Sequence, residues 1–357
     1  MAYITLNKKS LAQNYNFLRT LFEKEDKEWA PVLKLLCGNK KYLEYVLSLG
    51  DEQVCDARLS NLKIIKALKP SVETIYIKPP PKRTIANVVK YSDVSLNSEL
   101  TTIKWLSDEA KKQHKTHRII IMIELGDLRE GIMGDHLIEF YEKVFRLPSI
   151  KVVGIGANLN CLSGVMPSKD KFIQLCLYEQ LIEAKFQQKI DGVSGGSSVM
   201  IPLLLQKVVP QGINHFRVGE TLFFGNNLFT GNTITGMKDD VFLLHTEIIE
   251  IAEKPMTPYG DIELNPSGDE IEIDTEDFSR TQKRGILDIG LLDISKVDFL
   301  IPVDKRISFI GASSDMLIIN ISKTNEKYKV GDIVSFKMKY MGALRVMNSK
   351  YIDKRFL

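Results

Sequence analysis

The feature that most limits the fold is a repeated grammar. Short apolar runs of strand length recur at 29–36, 53–55, 74–77, 93–96, 118–125, 151–156, 190–194 and 214–218. Between them lie amphipathic stretches at 40–49, 58–68, 82–91, 98–113, 136–146, 168–187 and 199–207. Runs that are apolar throughout belong to parallel strands buried on both faces, and parallel neighbours need a crossover, here a helix. Strand and helix alternating eight times predict a (β/α)8 barrel of the TIM type. The rival, a doubly wound sheet, ordinarily opens with a G-x-G-x-x-G turn after its first strand. This chain has Gly38-Asn39-Lys40 there instead.

Near residue 235 helical periodicity stops. The runs 242–251, 270–273, 285–289, 307–310, 316–320 and 333–338 are short and β-rich, and Tyr328 to Asp332 reads as a tight turn. The expected organisation is a barrel over 8–234 followed by a C-terminal all-β domain over 235–357, which the opening strand within 1–7 joins. Asp261 to Asp277 holds eight acids and no base, and reads as a solvated loop or hairpin.

Bulk properties exclude several classes. The 48 basic and 45 acidic residues leave a formal charge of +3, which argues neither for nor against an anionic partner, and no nucleic-acid partner is expected. No apolar segment approaches a membrane span, and the opening MAYITLNKKSLAQNY has no basic-then-apolar export pattern. Cys37, Cys55, Cys161 and Cys176 are far apart without metal spacing, as expected of reduced thiols in the cytoplasm.

In a barrel of this type chemistry sits at the C-terminal ends of the strands. The first run is Val32-Leu33-Lys34-Leu35-Leu36-Cys37-Gly38. A lysine inside such a strand is costly unless paired, neutralised or chemically used. Desolvation would make its amine a nucleophile able to form a Schiff base; the bland alternative is a lysine whose stem packs while its head reaches water. The fifth run ends in the charged, glycine-bearing Glu124 to Gly131, the sixth in Asn158 to Cys161. Ser194-Gly195-Gly196-Ser197-Ser198 ends the seventh; its small residues let backbone N–H groups approach an anion, or else Ser198 merely caps the next helix. Arg217, between apolar residues on the last run and followed by Gly219, points a charge into the barrel, either for a ligand or for an ion pair with Glu124 or another acid. A lysine, a phosphate cup and a buried arginine together suit an aldehyde that carries a phosphate, namely pyridoxal phosphate.

With these motifs in view, the chain resembles the alanine racemase superfamily of fold-type III pyridoxal-phosphate enzymes, and within it the ornithine racemase-like branch. VLKLLCG, VCDARLSNLK, SLNSE, GDLREGI, GANLNCLSGVMP, VSGGSSVMIPLL, INHFRVGETLFFG, RGILDIGLLDI and IGASSDMLIIN carry the likeness in order across both domains. The resemblance implies an amino-acid racemase acting on ornithine or another basic amino acid. It implies that Lys34 holds the cofactor and serves as one base, and that Arg217 faces the pyridine nitrogen. Ser197 and Ser198, with the backbone of Gly219 and Glu220, match the phosphate cup, and Tyr351 a late tyrosine that reaches the phosphate. Arg129 matches an arginine near the substrate carboxylate, Glu124 the negative charge beside it, and Asn158 a group near the ring. It further implies a homodimer in which each β domain completes the partner's site. There the family's opposite-face tyrosine aligns with Leu291, which moves no protons; Asp293, Asp315 and Cys161 are the candidates to replace it. Ser197 and Met316 also depart from the branch's usual residues. Leu291 keeps two alternatives open, a lyase, decarboxylase or aldolase on the same scaffold and a non-catalytic cofactor-binding protein.

Overall fold

The computed structural model describes residues 2–50, 52–264, 274–324 and 327–357. The chain divides into two compact units, Lys8–Val241, and the first seven residues together with Phe242–Leu357. The expected strand at 270–273 lies outside the described residues.

With β1 (Tyr3–Leu6) left to the second unit, the first is built on β2 (Glu28–Pro31), β3 (Gln53–Asp56), β4 (Glu73–Tyr76), β5 (Val94–Asn97), β6 (His117–Ile123), β7 (Ile150–Ala157), β8 (Gly192–Ser194) and β9 (His215–Val218). Among the described residues these form one parallel sheet in the order β2-β9-β8-β7-β6-β5-β4-β3. A parallel bridge between Val32 and Cys55 closes β3 back onto β2, so the sheet is a barrel. Helices at Lys40–Leu47, Leu59–Leu68, Ile85–Tyr91, Leu100–Lys112, Leu137–Phe145, Lys169–Phe186 and Ile201–Leu205 make the crossovers. The barrel is filled by Ala30, Val32, Cys55, Ile75, Val94, Leu96, Ile120 and Met122. They recur at every second position of their strands, as inward-facing residues must. The other face packs on helices; Phe216 of β9, for example, meets Phe22 of the helix Lys8–Lys24.

The second unit is a sheet around the 14-residue strand β10 (Phe242–Pro255). β11 (Thr281–Leu287), β12 (Leu300–Pro302), β13 (Ser308–Ala312), β14 (Leu317–Asn320) and β15 (Ile333–Met338) lie in the order β12-β15-β10-β11-β14-β13. β1 pairs antiparallel with β10 and parallel with β16 (Asp353–Phe356). The unit also carries a helix that periodicity missed, Tyr340–Asn348, seated through Gly342, Ala343, Val346 and Met347.

Two histidines of the barrel are buried and neutral. His117 Nε2 lies 2.8 Å from Ser95 Oγ, and His215 Nδ1 lies 2.7 Å from Ser194 Oγ. Burial pushes His117 down to about 4 and His215 to about 3. The unfolded imidazoles charge below about pH 6.5, so this contribution to stability is full above that pH and is lost as pH falls toward the folded values. Between pH 7 and pH 5 the two together cost about 4 kcal/mol. Asp56, raised to about 6 by burial, works the other way and returns about 1 kcal/mol as it takes up a proton. Urea unfolding at the two pH values should therefore show a net loss of about 3 kcal/mol at pH 5; equal stability would mean that the histidines are not buried neutral.

Candidate active site

Lys34 does not lie inside a strand. β2 stops at Pro31, and Lys34–Leu36 form a single 3-10 turn at its C-terminal end. The apolar run continues because Leu33, Leu35 and Leu36 pack into the core; Lys34 itself is only partly buried. The turn exits through Cys37 and Gly38, both with left-handed backbone at φ of 48° and 76°. A Cβ on Gly38 would come 2.8 Å from Asn61 Oδ1, so the position calls for glycine. Asn61 Nδ2 donates to Asp56 Oδ2 at 3.0 Å, and the Arg58 amide donates to Asp56 Oδ1 at 2.7 Å.

Asp56, at the end of β3, is fully buried. Burial raises its carboxyl; the bonds from Asn61 and Arg58 and the charge of Lys34 oppose this. Glu220, just past β9, is likewise raised by burial, against a 3.1 Å bond from Asn226 Nδ2 and the charge of Lys34. Lys34 thus has two carboxyls in its field, each pushed toward its neutral form.

Ser198 is 2% exposed, and its Oγ accepts the amides of Gly219 and Thr221, both at 3.1 Å. It therefore ties the turn after β8 to the turn after β9 and does not cap its own helix. Ser197 precedes it, partly buried, at the mouth of the same turn. Gly219 packs on Val32, whose Cβ a side chain there would meet at 3.0 Å. Both amides are thereby engaged by the serine oxygen, and it is the Ser198 hydroxyl proton that this turn can offer to an anion.

Arg217 on β9 is 4% exposed. Nη1 donates to Ser194 Oγ, and Nη2 donates to the Ala157 carbonyl at 2.8 Å. Among the described residues its hydrogen bonds thus go to neutral groups, and the ion pair with Glu124 is not formed. Burial works against its charge, Arg129 adds to that, and Cys55 and Glu130 oppose it. Five donors minus two leave three N–H groups for a ligand.

The loop after β6 corrects a second expectation. The acid that pairs with Arg129 is Glu130, through Nε and Nη2, whereas Glu124 accepts the amides of Gly126 and Leu128 at 2.5 and 3.0 Å. Arg129 Nη1 also contacts Cys161 Sγ on the loop after β7, which Asn158 opens, partly buried. Asp127, 1% exposed, holds these loops together: its carboxylate accepts the amides of Cys161, Leu162 and Ser163 at 3.0–3.3 Å, and its carbonyl accepts from Ser163 Oγ at 2.7 Å.

The barrel mouth therefore gathers Lys34, Arg129, Asn158, Cys161, Ser197, Ser198, Arg217, Gly219 and Glu220. Asp293, Asp315 and Tyr351 belong to the other unit. There Ser349 Oγ donates to Asp293 at 2.8 Å and accepts the Tyr351 amide at 3.2 Å; the Tyr351 ring is exposed. Asp315 accepts from Ser314 Oγ at 2.6 Å. The Leu291 and Leu292 amides bond the carbonyls of Ser313 and Ser314, so the turns bearing Leu291 and Met316 form one platform.

Asp56, Asp127, Ser194 and His215 did not stand out in the sequence. Only His215 had a signal, since it shares the inward face of β9 with Arg217, two positions on. A cavity of about 810 Å³ opens at the opposite, N-terminal end of the strands among Glu28, Glu73, Arg118 and Lys151, and His215 reaches its wall. A half-buried amine, an anion cup and a buried guanidinium with N–H groups to spare fit pyridoxal phosphate, which has an aldehyde, a phosphate and a ring nitrogen.

Comparison with known proteins agrees with this geometry. Residues 6–227 match the family model for the alanine racemase N-terminal domain. The chain is 37% identical over 355 residues to an ornithine racemase of Acetoanaerobium sticklandii, covering 99% of each. It is 27% identical over 351 residues to a lysine racemase of Thermotoga maritima, covering 98% of this chain and 97% of that one. The crystal structure of an alanine racemase from Bartonella henselae with covalently bound pyridoxal phosphate superposes with a TM-score of 0.71 at 15% identity, covering 100% of this chain and 99% of that one. No helix among the described residues is long and apolar enough to cross a membrane.

The Asp127 clamp makes a direct prediction. Asp127→Ala should raise amide hydrogen exchange at 161–163 by about tenfold or more, the worth of one charge-assisted hydrogen bond, while the barrel strands keep their protection. Unchanged exchange would show that the loop is held by other contacts.

Proposed function

The chain belongs to the alanine racemase family, and from that premise we propose that it is a pyridoxal-phosphate-dependent racemase of a basic amino acid, ornithine before lysine, acting in the cytoplasm. The observation that carries the reading is the 37% identity to an ornithine racemase over 99% of both chains. The barrel mouth supplies the groups such a reaction needs.

Bound pyridoxal phosphate supplies an aldehyde that takes up the substrate amine and a ring that makes the Cα proton acidic. Lys34 Nζ would hold the aldehyde and, once freed by the substrate amine, would take or return the Cα proton on its own face. Ser197, Ser198 and the backbone of Gly219 and Glu220 would receive the phosphate, and Tyr351 would add its hydroxyl. Arg217 would donate to the ring nitrogen. Because arginine keeps its proton, that nitrogen would stay unprotonated, which favours return of the proton to Cα over transamination. Arg129, steadied by Glu130, orients the substrate carboxylate, and Asn158 lies beside the ring. Proton transfer on the other face falls to Asp293, Asp315 or Cys161, since Leu291 carries no exchangeable proton. In a homodimer the β unit of each copy would bring its share of these groups to the partner's barrel.

The test is exchange in deuterated water with L-ornithine, L-lysine and L-alanine, followed by NMR of the Cα proton and chiral chromatography. Ornithine and lysine should exchange with inversion. Lys34→Ala should lose the yellow colour and at least about a thousandfold in rate, the scale of a missing base. Exchange with retention would remove the two-base racemase. Consumption of substrate without the D-enantiomer would make the protein a lyase or aldolase, and no exchange at all would leave a cofactor-binding protein. Sedimentation over the assay concentrations addresses the shared site: full activity in a monomer would remove it.

A further inference from the structure

Arg217 is bonded to Ser194, and Ser194 is bonded onward. Its Oγ accepts from Arg217 Nη1 and lies 2.7 Å from His215 Nδ1. All three side chains are buried, at 4%, 1% and 7% exposure. His215 and Arg217 stand two residues apart on β9 and so project to the same, inner face. Ser194 sits opposite Gly156, where a Cβ would come 3.3 Å from its own, so a glycine on β7 leaves the serine its room.

One arrangement of protons gives the serine hydroxyl both a donor and an acceptor. A guanidinium has five N–H groups and no acceptor, so the serine oxygen accepts from it. The one serine proton then goes to His215 Nδ1, which must carry no proton of its own. His215 is therefore neutral, with its hydrogen on Nε2. An imidazolium would aim a second cationic N–H at an oxygen already facing a guanidinium, and would leave the serine proton without an acceptor. Burial, with the charge of Arg217 adding to it, keeps His215 neutral. Nε2 has no partner among the described residues.

We propose that Ser194 and His215 are positioning residues for Arg217. The one-way chain from Arg217 to Ser194 to His215, with the Ala157 carbonyl as a second anchor, fixes the plane of the guanidinium and directs its remaining N–H groups to the ligand. A carboxylate in their place would hold the arginine as firmly but neutralise it. A neutral pair holds it and leaves its charge to the ligand. The nature of that ligand, a pyridine nitrogen, rests on the proposed function; the chain of bonds does not.

Two measurements test this. In the purified protein at neutral pH, nitrogen NMR of the histidine rings should show His215 with its proton on Nε2 and a hydrogen-bonded, bare Nδ1. Ser194→Ala should abolish the hydrogen-bond signature at Nδ1. A proton on Nδ1, or a charged ring, overturns the chain. The second measurement is the dissociation constant and visible absorption of bound pyridoxal phosphate in Ser194→Ala, His215→Leu, their double variant and His215→Asn, with urea unfolding of each to confirm the fold. Ser194→Ala and His215→Leu should each weaken binding by about tenfold and move the absorption band, and the double variant should be no worse than either alone. His215→Asn, whose Oδ1 can accept where Nδ1 did, should stay near the parent. If Ser194→Ala fails to fold, His215→Leu against His215→Asn carries the comparison alone. Parent affinity and an unmoved band in both His215→Leu and Ser194→Ala overturn the proposal, as does a His215→Asn as impaired as His215→Leu. A parent that binds no pyridoxal phosphate defeats the proposed function instead, and the ring NMR then decides the chain alone.

Discussion

The barrel closes at one narrow seam, and the site is assembled on it. The even-numbered amides of β2 point to β9, as Glu28 does to Asn214 and Val32 to Val218, both at 2.8 Å. The odd-numbered positions point to β3, where the Leu33 amide meets the Cys55 carbonyl at 2.8 Å. Pro31 falls in the odd set and has no N–H to give. Closure on that side therefore waits for Val32 and Leu33, one residue short of Lys34. The same few bonds set Val32 against Gly219, Cys55 beside Arg217, and Asp56 within the field of Lys34. Loosening the seam would move the amine, the cup and the guanidinium relative to one another at once.

Away from the seam the loops of the mouth are tied to each other by buried side chains that accept amides from a neighbouring loop. Asp127 joins the loop after β6 to the loop after β7, and Ser198 joins the turn after β8 to the turn after β9. Such tethers satisfy backbone donors that a loop cannot pair within itself, and they do so where water is excluded. The loops after β6 and β7, and the turns after β8 and β9, are thereby held in pairs, which keeps loops from wandering.

This division explains what could be read from the sequence. The eight barrel strands were legible because burial on both faces leaves an unbroken apolar run. The same signal misled at 29–36, where a strand of four residues is continued by a turn whose leucines are equally buried. An apolar run reports burial and not backbone conformation. The helix Tyr340–Asn348 was hidden because its seated face is partly Gly342 and Ala343, which weaken the apolar stripe. The residues proposed to touch a ligand came from type and place at strand ends for Lys34, Ser198 and Arg217, and from the resemblance for Arg129, Asn158 and Tyr351. Asp127 and Ser194 lie within the motifs GDLREGI and Ser-Gly-Gly-Ser-Ser, but nothing local marks them as acting on other residues, because their partners lie 34 to 36 and 21 to 23 residues away. The resemblance set the negative charge beside Arg129 at Glu124, whereas the acid bonded to the arginine is its neighbour Glu130 and Glu124 turns to the amides of its own loop.

Two cations stand at this mouth in opposite surroundings, a difference that suits the roles proposed for them. Arg217 is backed by a serine, an imidazole held neutral and a carbonyl, none of which can take its proton or cancel its charge. Lys34 has Asp56 and Glu220 in its field, both pushed by burial toward the uncharged acid. Burial does both jobs: it raises the acids beside Lys34 and lowers the imidazole behind Arg217.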